Sequence, residues 1–379
     1  MQSSDLLSTQ HSALSTLNFG RMSFLNNWFA KKEIEEKPSR PLLSKILETL
    51  REGVIVVGQD TRIVASNAAA YNAFARFNGA LEAKRLSEVI RDLSLHEAFR
   101  RALQNSDSSD ITFEIPGIEK RTYDVHIAPI QLENTNGAIG FFHDITQMEH
   151  LEKVRQEFLS NISHELRTPL TSIMAFVETL EDGAIEDKEN NQRFLGVIRK
   201  NAQRMHHLID DILELSIIET GKIDLELKQV NLAAQVEEVF TNLSSKAKQH
   251  RIKLINEVAA DVRVFADVIR LEQMLTNLID NAIKFNRKQG SVTVNCVGNG
   301  TKDIISVADT GEGISSEHQT RIFERFYRTD RARSREIGGT GLGLAIVKHL
   351  ARLHGGEVSV ASTPTKGTVF SIELPKKPE

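Results

Sequence analysis

From Gln147 to Ile218 the chain has little choice but to be helical. Leu151, Val154, Phe158, Ile162 and Leu166 recur at close to coiled-coil spacing, and Leu170 and Ile173 extend the row, where a strand would need period two. The stretch "EDGAIEDKENN" breaks the pattern, with Gly183 as a stop. A second row then follows at Phe194, Ile198, Met205, Ile209, Ile212 and Leu215. Two antiparallel helices joined by a short loop cannot bury both stripes by themselves. Pairing with a second copy into a four-helix bundle is the cheapest solution, so the spacing predicts a homodimer.

The first of these helices carries an anomaly in "FLSNISHELRTPLTSI", Phe158 to Ile173. His164 lies about 200° around the helix from Ile162 and is expected to face solvent. Pro169 removes a backbone hydrogen bond and presses on the Glu165 carbonyl, so a bend is expected beside the histidine. A zinc-protease motif would need histidine at 168, where Thr168 stands. An exposed neutral imidazole is a good nucleophile, and an adjacent carboxylate, here Glu165, can hold its tautomer and take its proton. Thr168, one turn on, is placed to orient a water above the same face. A lone His–Glu pair is equally what a solvated surface looks like, so its meaning depends on the rest of the chain.

On either side of the hairpin the periodicity changes. From Leu42 to about Thr146 a short helix leads into "GVIVVG" and "RIVASN", then alanine-rich helix, then "TYDVHIAPI" and "GAIGFFHDI". Helices and strands around one sheet read as a compact α+β domain. From Leu227 to Leu374 strands and helices alternate as an α/β sandwich, with a long irregular segment between Gly311 and Gly338 of the kind that forms lids. The expected organisation is therefore multidomain α+β: a segment and linker at 1–41, a compact α+β domain at 42–146, the hairpin at 147–222 and the sandwich at 227–375.

Several classes fall away on bulk grounds. A formal net charge of −4 gives no electrostatic reason to expect nucleic acid as a partner. Cys296 is the only cysteine, which precludes an internal disulfide and fits a reducing compartment. The sequence holds no apolar run of membrane-spanning length and "MQSSDLLSTQ" lacks the features of a signal peptide, so a cytoplasmic location is expected. Phe19, Phe24, Trp28 and Phe29 crowd beside Lys31 and Lys32, a cluster that fits packing onto the next domain or lying on a membrane surface.

Three stretches of the last domain suit a nucleotide. "NLIDNAIKF" puts Asn277, Asn281 and Lys284 on one helical face, where amide oxygens suit magnesium and a lysine supplies charge to phosphates. "DTGEG" sets Asp309 at a strand end before Gly311 and Gly313, and its carboxylate can accept from the exocyclic amine of adenine, whereas guanine would leave it unpaired. "GGTGLGLAIVKHL" runs a glycine-rich turn, including Gly339, Gly341 and Gly343, into an apolar helix whose N–H groups can hold phosphate. It is neither a Walker A loop nor a dinucleotide fingerprint. Each is weak alone, since helix asparagines cap or face water and D-x-G-x-G also makes plain turns.

Taken in order, these motifs resemble those of the bacterial two-component sensor histidine kinases, over roughly residues 42 to 375. "SHELRTPLTSI" is similar to the family's phosphoacceptor box, and "NLIDNAIKF", "DTGEGI", "RIFERFYR", "GGTGLGLAIV" and "KGTVF" to the N, G1, F, G2 and G3 boxes of its Bergerat-type ATP-binding domain. The surroundings "VRQEFLSNISHELRTPLTSI" and "VETL" are most similar to the phosphate-regulon sensor branch. The resemblance implies that His164 is the phosphorylated histidine, Glu165 its general base and Thr168 the residue positioning water for dephosphorylation of the partner. It implies Asn281 as the magnesium ligand, Lys284 as a phosphate contact, Asp309 as the adenine contact, the glycines as loop and hinge positions, and Thr368 as a polar contact near the base. Arg325 and Arg328 fall in the lid region, where they either meet phosphates or form a solvated basic surface.

The type II topoisomerases and the ninety-kilodalton heat-shock chaperone, which hydrolyse ATP on the same wider fold, carry glutamate where this sequence has Asn277. Its absence implies phosphoryl transfer to a protein nucleophile. The implied partner is the receiver domain of a response regulator, which accepts the phosphoryl group on an aspartate and is dephosphorylated by the same protein. Residues 42–146 resemble a PAS sensor domain, with Asn67 after the second strand and "DIT" at 144–146 leading into the helix. No cysteine there supports a photoreactive flavin adduct. His96, His126 and His143 fit packing or surface roles better than haem ligation.

Overall fold

The computed structural model describes residues 40–74, 80–115, 120–132, 135–220, 223–329 and 339–376. The aromatic cluster at 19–29, and with it the expectation of membrane-surface contact, lies outside the described residues, as does Gly338. The chain divides into two compact units, Met1–Lys153 and Val154–Glu379.

In the first unit, helix α1 (Arg40–Thr49) precedes strands β1 (Gly53–Gly58) and β2 (Ile63–Ser66) and helices α2 (Ala68–Phe74), α3 (Leu86–Val89) and α4 (Leu93–Asn105). Strands β3 (Ser109–Ile115), β4 (Arg121–Leu132) and β5 (Thr135–Asp144) complete an antiparallel sheet of order β2-β1-β5-β4-β3 among the described residues. Leu95, Ala98, Phe99 and Ala102 of α4 share a core with Ile55, Val125, Ile127 and Phe142 of the sheet. Phe113, Tyr123, Phe74 and Phe142 make a chain of ring contacts inside it, with centroids 5.2 to 6.2 Å apart. The three histidines are engaged by protein groups: His96 by the Ile90 carbonyl, His126 by Asp110 and His143 by Glu52.

Asn67 holds the start of this unit together. Buried at 5 % exposure, its amide oxygen accepts from the N–H of Val54 and Ala70, and its amide nitrogen donates to the carbonyls of Leu47 and Glu52. At the other end, the Asp144 carboxylate caps the N–H of Thr146, whose hydroxyl accepts from the N–H of Thr122 on β4.

In the second unit, two long helices form the expected hairpin. Helix α5 (Thr146–Glu181) runs unbroken through Pro169, and α6 (Asn191–Glu219) follows a turn in which Gly183 has φ 107°. The pairings Phe176–Phe194, Ser172–Asn201 and Glu165–Arg204 make them antiparallel. Not all of the apolar stripe is spent within the chain: Leu170, Met174, Leu213 and Ile217 remain 46 to 58 % exposed. Leu208, Leu215 and Ile218 of α6 are buried, whereas Ile209, which the spacing also assigns to the stripe, is 45 % exposed.

Strand β6 (Lys228–Asn231) pairs with β8 (Arg263–Ala266) as a separate two-stranded sheet, and helix α7 (Leu232–His250) lies between them in sequence. Strands β7 (Lys253–Asn256), β9 (Ser291–Asn299), β10 (Lys302–Asp309), β11 (Glu357–Thr363) and β12 (Gly367–Pro375) form a sheet of order β11-β12-β10-β9-β7. It is antiparallel except for the β7–β9 pair. Along β10, Asp303, Ile305 and Val307 are buried and the alternate residues half-buried, the signature of one covered face. Helices α7, α8 (Val268–Lys284) and α10 (Gly343–Leu353) cover it, with a short α9 (Ser316–Gln319) leading into the lid region. The buried α6 residues belong to the same core as this sandwich, so hairpin and sandwich are docked as one body. Among the described residues no helix is long and apolar enough to cross a membrane.

His354 ties α10 to α8. Its Nδ1 donates to the Leu350 carbonyl at 2.7 Å and its Nε2 accepts from the N–H of Asp267 at 3.2 Å, a pairing that requires the neutral ring. Burial pushes its pKa below the usual histidine value. The unfolded chain therefore takes up a proton first as pH falls below about 6.5. This contribution is complete above that pH and is lost toward the lower folded pKa. Acidification from pH 8 to 5.5 is expected to lower the Tm of the sandwich more in the wild type than in His354→Gln. A parallel fall in both proteins would assign the acid sensitivity elsewhere. In the first unit, Asn67→Ala is expected to cost about 2 kcal/mol or more, read as an earlier unfolding transition in urea, because it strands the buried Val54 N–H.

Candidate functional site

The site is built where α8, the end of β10 and the turn before α10 converge. Helix α8 is capped by Asp267, whose carboxylate accepts from the Arg270 N–H, and its apolar face is buried through Leu271, Leu275, Leu278 and Ile279. That burial turns the opposite face, with Asn277, Asn281 and Lys284, toward a cavity of about 1100 Å³. Asp309 and Thr368, register partners on β10 and β12, line it as well. Gly313, Arg328, Gly339, Gly341 and Gly343 also line it.

Each functional side chain is held by neighbours. Burial pushes the Asp309 carboxyl up, against the N–H groups of Gly311 (2.7 Å) and Thr368 (3.3 Å) that pull it down. Both bonds go to Oδ1, leaving Oδ2 without a described protein donor. Lys284 lies 2.6 Å from Asp280, which Lys246 also contacts. Burial works to raise the Asp280 carboxyl, but the two lysines prevail and hold it below its ordinary range. A Cβ at Gly343 would stand 3.1 Å from the Asn277 amide oxygen, so the glycine turn closes directly on α8. Gly313, at φ 72°, passes so near the Thr363 carbonyl that a Cβ would overlap it. This glycine is thus needed for contact between protein backbones.

Two sequence-predicted residues stand outside the cavity. Gly311 lies behind it, its N–H aiming the Asp309 carboxylate. Arg325 pairs with Glu219 at the end of α6 and sits 5.1 Å from the Phe158 ring centre, so this part of the turn "RIFERFYR" docks on the hairpin while Ile322, Tyr327 and Arg328 of the same turn line the cavity. The Phe326 ring lies tilted against Phe158, centroids 5.8 Å apart, and the Phe326 N–H donates to the Gly341 carbonyl.

The histidine and its neighbours are also outside. His164 is exposed, as its position on the helix requires, while Pro169 is buried. The Thr168 hydroxyl donates to the His164 carbonyl at 3.2 Å. Glu165 is held by Arg204 of α6 at 2.9 Å, with Arg328 3.9 Å away. Sequence reasoning missed Arg204 and also Asp211, whose carboxylate accepts from the Thr340 hydroxyl at 2.6 Å. Burial pushes the Asp211 carboxyl up. The signal for both was the polar row on α6 at Lys200, Arg204, His207 and Asp211, one face at helical spacing.

Chemically, a cavity lined by a carboxylate acceptor, amide oxygens, a lysine and an N–H-rich turn fits a base joined to phosphates. Residues 266–378 match the family described as histidine kinase-, DNA gyrase B- and HSP90-like ATPase, residues 154–221 the His kinase A phospho-acceptor domain, and residues 47–150 the PAS fold. The sensor histidine kinase WalK of Bacillus subtilis is 32 % identical over 346 residues, covering 90 % of this chain and 56 % of that protein. The sensor protein SrrB of Staphylococcus aureus is 28 % identical over 351 residues, covering 91 % and 58 %. The chain thus spans little more than half the length of these curated relatives. Among solved structures, the histidine kinase ThkA in complex with the response regulator protein TrrA is 26 % identical, with a TM-score of 0.50. That match covers 88 % of this chain and 98 % of ThkA.

Gly313→Ala is expected to destabilise the sandwich by about 2 kcal/mol or more, since it combines a positive φ with backbone overlap. The urea midpoint of this unit is the measurement. Gly339→Ala, with only the Arg328 side chain near at 3.9 Å, is the benign control.

Proposed function

The chain belongs to the bacterial two-component sensor histidine kinases that carry a PAS domain, and from this we propose that it phosphorylates its own His164 from ATP. The phosphoryl group then passes to an aspartate on a response regulator. The observation that carries the reading is the pairing, in one compact unit, of a cavity fitted to a nucleotide with an exposed histidine beside a carboxylate. In the proposed division, 42–146 senses, 147–222 dimerises and carries the phosphoryl group, and 227–375 binds ATP. The exposed apolar residues of the hairpin support pairing with a second copy.

In the proposed roles, Asp309 accepts from the adenine amine, with Thr368 beside it. Lys284 and Arg328 meet the phosphates, and the glycine turn supplies N–H donors. The amide oxygens of Asn281 and Asn277 form a hard donor set that suits magnesium, with Asn281 as the ligand. When bound, magnesium neutralises charge on the phosphate oxygens. A ring nitrogen of His164 attacks the γ-phosphorus, the bond to the bridging oxygen breaks, and ADP leaves. Glu165 takes the ring proton, and Thr168 orients water when the phosphorylated regulator is hydrolysed. Because His164 is outside the cavity and Glu165 is engaged by Arg204, the arrangement described is a resting one. The sandwich must leave the hairpin before transfer.

The test is incubation with γ-labelled ATP and magnesium. Label on the protein is expected to be acid-labile and base-stable, and to be lost in His164→Gln. Rapid ATP turnover with no label would sink the proposal in favour of a hydrolase.

A further inference from the structure

The cavity is not walled by the sandwich alone. Lys200, Arg204, His207 and Asp211 of α6 line it too, from a helix that belongs to the hairpin. The glycine turn is fastened to this face by the bond between Thr340 and Asp211. On the nucleotide reading above, on which this inference rests, the phosphate end therefore lies between the turn and α6.

The charges on the two sides are unequally committed. On the sandwich, Lys284 and Lys246 both pair with Asp280. On α6, Arg204 is taken by Glu165. Lys200 and His207 border the same cavity and are exposed; neither makes a hydrogen bond or ion pair with a described residue, and His207 contacts the His206 ring and acts on the Asp211 carboxylate only through its charge field. Two such donors facing a phosphate end are what a terminal phosphate requires, since it carries the most charge and the most acceptor oxygens.

We propose that Lys200 and His207 bind the terminal phosphate of the nucleotide held by their own chain, so that the triphosphate, unlike the diphosphate, fastens the sandwich to the hairpin. The site is then complete only while the two are docked. The consequence is a preference for the triphosphate that originates outside the nucleotide-binding fold.

Calorimetry on the full chain with magnesium, using ADP and the β,γ-imido analogue of ATP, tests this. The double variant Lys200→Ala/His207→Ala is expected to lose affinity for the analogue about tenfold while ADP binding changes less than about twofold. His207→Lys, which places an ammonium donor at this position, should retain the wild-type ratio. Both side chains are exposed, and retained ADP binding reports an intact fold. An unchanged ratio of the two affinities in the double variant overturns the inference and leaves the nucleotide site standing. A wild-type chain that binds neither nucleotide removes both.

Discussion

The arrangement of the second unit depends on one apolar contact, the burial of Leu208, Leu215 and Ile218 of α6 in the core of the sandwich. Each such side chain is worth about 1.5–3 kcal/mol when fully removed from water. The ion pairs around it, Glu214 with Arg270 and Glu219 with Arg325, are partly exposed and worth far less. The apolar residues therefore supply the attraction, and the polar ones fix the register in which it is satisfied. Everything at the site follows from that register: which face of α6 meets the cavity, where the glycine turn is tied, and which arginine reaches Glu165.

Hydrophobic period alone recovered what is local. The hairpin, its turn at Gly183, α8 and the strand pair β9–β10 were legible because their burial alternates or repeats as their sequences do. Strand β3 was not, since it is an edge strand with only Phe113 buried. Helix α7 was missed with β6, although its row of Leu232, Val236, Val239, Phe240, Leu243 and Ala247 keeps helical spacing; the polar Thr241, Asn242, Ser244 and Ser245 between them obscure it. The site was legible wherever its residues lie in one short motif. Contacts between motifs were not: Thr340 and Asp211 are 129 positions apart, and which arginine Glu165 meets depends on a docking geometry that no local spacing encodes.

Asn277 shows how chemistry and packing share a position. An amide there can face a cation, yet it also receives the glycine turn at Gly343 without a carboxylate's charge. Asp309 is similar: its burial favours the neutral acid, and two backbone N–H groups counter that by holding one oxygen in place.

Phe326 holds a backbone conformation, φ 59°, that residues with a side chain seldom adopt. Its amide is tied to the glycine turn, and its ring leans on a helix from the other half of the unit. One residue in an unfavourable backbone conformation thus joins the glycine turn, through its amide, to the hairpin, through its ring, so the geometry of either partner constrains the other.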